Sequence, residues 1–155
     1  MKKTFFLTAL CLVLVSLANA QDAAAPVSDD ELQRYAVMMD SIDEMRIDLL
    51  AEISEMVKGT DKITVARYND LSKISNDAAK LEEAKATPDE ISFLKEIQTL
   101  KESGTAEINT TFRTMAKDYV GASTYNKVKK AITEDGEVKS KYETLLNKLK
   151  EDNGG

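Results

Sequence analysis

The chain holds 155 residues, carries a net charge of −6 and contains neither histidine nor tryptophan. The missing histidine removes the commonest general base, proton shuttle and zinc ligand, and an acidic surface repels phosphate backbones and anionic lipid, so nucleic acid and membrane surfaces are not expected partners. With only 2 prolines and 6 glycines, the composition suits a helical chain better than a β-protein or a loop-rich enzyme.

Residues 1–20 read as an export signal. Lys2 and Lys3 give the positive start, residues 5–17 form a nearly continuous apolar run, and Ala18, Asn19 and Ala20 give the small-x-small pattern of a signal peptidase site. The run is shorter than the roughly 20 apolar residues of a membrane span, so cleavage after Ala20 is expected rather than a retained anchor. Cys11 follows Leu10, with the apolar run continuing past it, so lipidation at Cys11 is not expected. The mature chain, residues 21–155, is therefore expected to be periplasmic or secreted, without cysteine and without a membrane span. Loss of two lysines takes its net charge from −6 to −8. Its length suits one domain that is stabilised by packing alone.

Residues 21–27 read as a flexible leader. Ser28 and Glu31 then form a capping box with Asp29 and Asp30 in the first turn. The first helix carries Leu32, Tyr35, Met39, Ile42, Leu49, Ile53 and Met56 at steps of three and four, a stripe interrupted at Arg46 and flanked there by Met45 and Leu50. Lys58 and Gly59 mark its end. Thr64 caps a second helix with Tyr68, Leu71, Ile74, Ala78 and Leu81 on one face, and Ser75, Asn76 and Asp77 are placed to break or bend it. The spacing leaves residues 76–86 open between helix and spacer. Thr87, Pro88, Asp89 and Glu90 form the sharpest start signal, a capping box with proline at the first position. The third helix carries Ile91, Leu94, Ile97, Leu100, Ile108, Phe112, Met115 and Tyr119, with Gly104 inside it and Gly121 after it. A fourth begins at Ser123 with Tyr125, Val128 and Ile132, is interrupted at Asp135 and Gly136, and resumes with Val138, Tyr142, Leu145, Leu146 and Leu149. Residues 151–155 read as a disordered tail.

The two halves resemble each other. At an offset of 59, Ser28 falls on Thr87, Asp30 on Asp89, Glu31 on Glu90, Leu32 on Ile91, Ile53 on Phe112 and Met56 on Met115; at 57, Tyr68 and Asn69 fall on Tyr125 and Asn126. Helical period alone does not align capping boxes and a Tyr-Asn pair as well. The expected fold is all-α, an antiparallel four-helix bundle of two duplicated hairpins (residues 28–86 and 87–150) with the last helix interrupted.

The run Val27, Ser28, Asp29, Asp30, Glu31, Leu32 with Tyr35, followed by Ile63, Thr64, Val65, Ala66, Arg67, Tyr68 and Asn69, resembles a family of small exported bacterial helical proteins catalogued as a domain of unknown function. The likeness covers nearly the whole mature chain and implies a periplasmic or secreted helical protein. It carries over no catalytic residue.

Asp40, Asp43, Glu44 and Asp48 cluster on the polar side of the first helix and read as a solvated face, because carboxylates do acid–base or metal chemistry only when buried or held together. Arg46, at a seam position, either pairs with an acid or snorkels out along its stem, or else contacts an anionic ligand or partner beside Met45 and Met39. Met38, Met39, Met45, Met56 and Met115 have the thioethers copper(I) favours, yet without histidine or cysteine beside them they read as core filler. No cofactor, metal or catalytic residue is expected. Tyr35, Tyr68, Tyr119, Tyr125 and Tyr142 fall on apolar stripes and are expected in the core with hydroxyls at its rim. The sequon at Asn109, Thr110 and Thr111 lies mid-helix and is discounted. Asp135 with Gly136 reads as a turn, since a calcium loop's acidic spacing is missing.

These features predict a non-enzymatic interaction protein of the bacterial cell envelope that holds a protein partner or an unfolded client. The alternative is a carrier of a small ligand or metal, with a pocket between the hairpins around Arg46 and Met45. The sequence leaves the oligomeric state open.

Overall fold

In chain order the helices are α1 (Asp29–Gly59), α2 (Val65–Leu71), α3 (Ala78–Glu83), α4 (Pro88–Thr114), a π-helical turn (Met115–Tyr119), α5 (Ala122–Glu134) and α6 (Gly136–Asn153). The computed structural model describes residues 26–153, among which no strand occurs; the expected cleavage site at Ala18 and Ala20 and the last two residues of the expected tail lie outside them, while residues 151–153, expected in that tail, continue α6 as helix.

Both predicted capping boxes form. The Glu31 N–H donates to the Ser28 hydroxyl at 3.2 Å while the Ser28 N–H donates to the Glu31 carboxylate at 2.9 Å. Thr87 and Glu90 repeat the exchange at 3.2 and 2.8 Å, with Pro88 at the start of α4. Each box satisfies amide groups that a helix start would otherwise leave orphaned.

α1 and α4 run antiparallel as a long pair. Ile53 and Val57 near the end of α1 share a core with Phe93, Leu94 and Ile97 near the start of α4, closed over by Ile63, Leu71 and Leu81. At the opposite end Leu32, Tyr35 and Met38 of α1 share a second core with Val120 and with Val128 of α5; Phe112, Met115, Tyr142 and Leu145 pack against it. α6 lies along α1 in the same direction, for Tyr142 meets Tyr35 and Lys150 lies beside Asp43. Between the two cores Gly104 of α4 faces Leu49 of α1. A β-carbon added at Gly104 would come within 2.6 Å of the Leu49 side chain, so glycine lets the helices close there.

The structure alters several expectations. The second predicted helix ends at Leu71, and the chain turns through residues 72–77 before α3 restarts under an Asp77 cap. The polar run of Ser75, Asn76 and Asp77 breaks the helix rather than bending it: Ser75 turns its hydroxyl to the Ser72 carbonyl and the Asp77 carboxylate accepts from the Lys80 N–H of α3. α3 ends with Lys85 at φ 53, where the Lys85 and Ala86 amides bond back to Glu82 and Leu81. Asp135 separates α5 from α6 and caps α6, accepting from the Glu137 N–H at 2.8 Å.

Tyr119 was expected in the core, but it is 44 % exposed, and Val120 is buried at 2 %. The π-helical turn is the cause. The Val120 amide bonds to the carbonyl of Met115, five residues back, so the turn takes in one more residue than an α-helix and the register slips. Val120 thereby inherits the core position, and Gly121 at φ 91 reverses the chain into α5. Asp40, expected on the solvated face, is only 4 % exposed. It falls on the side of α1 that α6 overlies, in step with Ala36, which is also buried.

Candidate functional site

One face of α1 passes from covered to bare along its length. Ala36, Asp40, Asp43, Ile47 and Leu50 follow one another at steps of three and four and so share a side of the helix. Ala36 and Asp40 are buried, and Asp43 meets Lys150 near the end of α6, with Nζ 3.9 Å from its carboxylate. Beyond that point Ile47 is 62 % and Leu50 66 % exposed. Farther on, Leu50 joins Ile53, Val57, Val65 and Tyr68 in lining a cleft of about 240 Å³ where α2 begins, with Ser54, Lys58 and Asn69 at its polar side. Val65 is exposed as well. The bare stretch is therefore an apolar strip between the end of α6 and the start of α2.

The three residues predicted as ligand or partner contacts do not converge. Met39 packs against the core of α1 with α5. Met45 lines a separate cleft of about 310 Å³ between α1 and α4, with Leu49, Leu100, Gly104 and Ile108 along its walls and Asp48, Glu52 and Glu107 also lining it. Arg46 stands on the surface at the edge of the apolar strip, where Nη1 donates to Asp43 at 2.9 Å. Arg46 thus pairs with an acid one turn away, and its seam position comes to nothing because the stripe is itself uncovered at that height. Leu50, which flanks the stripe at Arg46 in the sequence, and Ile47, which lies off the stripe, are the exposed aliphatics here.

Charged groups at the two ends of the molecule are fixed more firmly. Glu31 closes its capping box and also accepts Lys127 Nζ at 2.7 and 3.0 Å. Glu90 does the same with Arg67, whose Nε donates at 3.0 Å and whose Nη2 also reaches the Ala84 carbonyl at 2.8 Å. The Lys127 ammonium and then the Ser28 amide hold the Glu31 carboxyl below the usual carboxylate range. Arg67 and then the Thr87 amide do so for Glu90. In the core, Tyr35 packs against Tyr125 in a tilted contact and meets Tyr142 edge-on, with ring centroids 5.4 and 5.7 Å apart. Burial, followed by the neighbouring tyrosines, pushes the Tyr35 hydroxyl well above its ordinary value. Such a hydroxyl stays protonated and serves packing.

Among the described residues no group of three or more carboxylates or cysteines is arranged to hold a metal ion, and no helix is long and apolar enough to cross a membrane. No family model, no curated protein and no solved structure matches the chain.

Proposed function

We propose that this is an exported, non-enzymatic interaction protein of the bacterial cell envelope, which binds a protein partner or an unfolded client along α1. The observation that carries this reading is the apolar strip at Ile47 and Leu50, where a helix face that α6 covers elsewhere lies open to solvent. Apolar residues presented together, with charged neighbours around them, favour association. The export signal read at residues 1–20 and the likeness to small exported helical proteins supply the compartment.

Two duplicated hairpins forming one bundle remain our reading of the architecture. It is supported by reciprocal contacts: α5 docks on the start of α1 through Lys127 with Glu31 and Tyr125 with Tyr35, while α2 docks on the start of α4 through Arg67 with Glu90 and Tyr68 with Phe93.

The test is crosslinking in living cells with a photo-reactive amino acid in place of Leu50, and a control in place of exposed Lys130. A partner adduct is expected from position 50 and none from position 130. No adduct at position 50, together with no suppression of client aggregation by the purified protein, would sink the reading. The cleft beside Met45 favours a second reading, a small-ligand or metal carrier. A thermal-shift panel of metals, fatty acids and small anions decides it, because a ligand that binds only the folded state must raise apparent stability.

A further inference from the structure

We infer that the strip around Ile47 and Leu50 seats a short amphipathic helix of a protein partner, one that carries lysine or arginine along the flank lying beside Glu44, Asp48 and Glu55. The inference rests on the partner-binding reading and specifies the partner's chemistry.

The fold already contains an example of such an occupant. α6 is an amphipathic helix laid on the same side of α1, with Tyr142 on Tyr35 and Lys150 reaching Asp43. The strip continues that packing surface beyond the end of α6. The bare residues Ile47 and Leu50 span about one turn of α1, and beyond Leu50 the seat continues as the cleft walled by Val65, Tyr68 and Asn69 of α2.

Charge then selects the occupant. Glu44 and Glu55 lie on the Ile47 side of the strip, with Asp48 turned farther round toward the Met45 cleft; all three are exposed and none has an ion-pair partner among the described residues, whereas Asp43 pairs with both Arg46 and Lys150, and Lys58 stands at the far end of the strip. Glu44 with Asp48, and Asp48 with Glu52, are like charges one turn apart, a spacing that weakens a helix. A basic flank laid beside this edge removes the repulsion and adds attraction over distance. The opposite edge is cationic, with Arg46 held by Asp43 and Lys101 Nζ donating to the Tyr68 hydroxyl at 3.4 Å. The partner's second flank is therefore neutral or acidic, which fixes its orientation. A second copy of this chain paired antiparallel fits poorly, because the two-fold sets acid edge against acid edge between mature chains whose charge goes from −6 to −8 once Lys2 and Lys3 leave with the signal.

The purified protein is titrated with two synthetic amphipathic peptides of about three to four turns that share a leucine face. One carries lysines along one flank, the other glutamates at the same places. The lysine peptide is expected to bind, the glutamate peptide about tenfold more weakly or less, with the difference shrinking as salt is added. Leu50→Glu should abolish binding of the lysine peptide, and the combined Glu44→Lys, Asp48→Lys and Glu55→Lys variant should reverse the preference. Circular dichroism verifies that these exposed substitutions leave the helices intact. Equal binding of both peptides, no binding of either, or undiminished binding by Leu50→Glu overturns the inference. So does a cellular crosslink from position 50 to a second copy, or to a segment without a basic flank. Either crosslink leaves the partner-binding reading standing, and only the absence of any crosslink together with no suppression of client aggregation removes both.

Discussion

Glu31 and Glu90 each do two jobs with one carboxylate, closing a capping box and accepting a cation from a distant helix. Their pKa values are lowered from 4.5 in the folded protein, so their stabilisation is complete above that value and is lost as pH falls below it toward the depressed values. The protein is therefore expected to lose stability on acidification below about pH 4.5. Glu31→Gln, which keeps the shape and removes the charge, should lower the denaturant midpoint at neutral pH and leave a shallower acid limb. Wild type and variant should converge once the pH has fallen below the depressed folded-state value. Parallel acid limbs would contradict the assignment. At this scale the sequence was informative about caps, because Ser28 with Glu31 and Thr87 with Glu90 are local patterns. It was silent about Lys127 and Arg67, whose partners lie 96 and 23 residues away.

At the scale of elements, periodicity located the two long helices and both tyrosine-bearing faces, but it failed wherever the backbone left the α-helical period. Tyr119 is the clearest case. An α-helical register places it on the core stripe, and the π-helical turn hands that place to Val120. Val120→Ser should accordingly destabilise the protein by roughly 2 kcal/mol through lost apolar burial and a buried hydroxyl, while Tyr119→Ser should cost far less. Thermal or denaturant melts of the two variants measure this directly; equal costs would mean that the register is α-helical in solution. The two halves also part company here. Between Met56 and Tyr68 the chain spends a loop at residues 60–64, whereas between Met115 and Tyr125 it uses the π-helical turn and Gly121 and is two residues shorter, the same slip that moves the offset from 59 to 57. Nothing in local composition marks residues 115–119 as π-helical. The short α3 was equally hidden, since a six-residue helix is too brief to establish a period.

For the molecule as a whole, helical class was legible from composition and stripes, while the separation into two cores was not. Stripes say which side of a helix is apolar; they do not say where along it a third helix stops. For that reason Arg46 read as an interruption in a covered seam, when it stands at the edge of an uncovered one.

The two cores also differ in how far apart along the chain their residues lie. The core around Ile97 draws on residues 53–97, a single continuous stretch, whereas the core around Tyr35 must bring residues 32–38 together with residues 120–128. Closing the longer loop costs more chain entropy before any contact rewards it. Refolding should therefore order the middle of the sequence first and its two ends last. Pulse-labelled hydrogen exchange is expected to protect amides near Val57 and Leu94 before those near Met38 and Val128. The strip at Ile47 and Leu50 lies at the junction, so a nascent chain would complete it only as the late core closes.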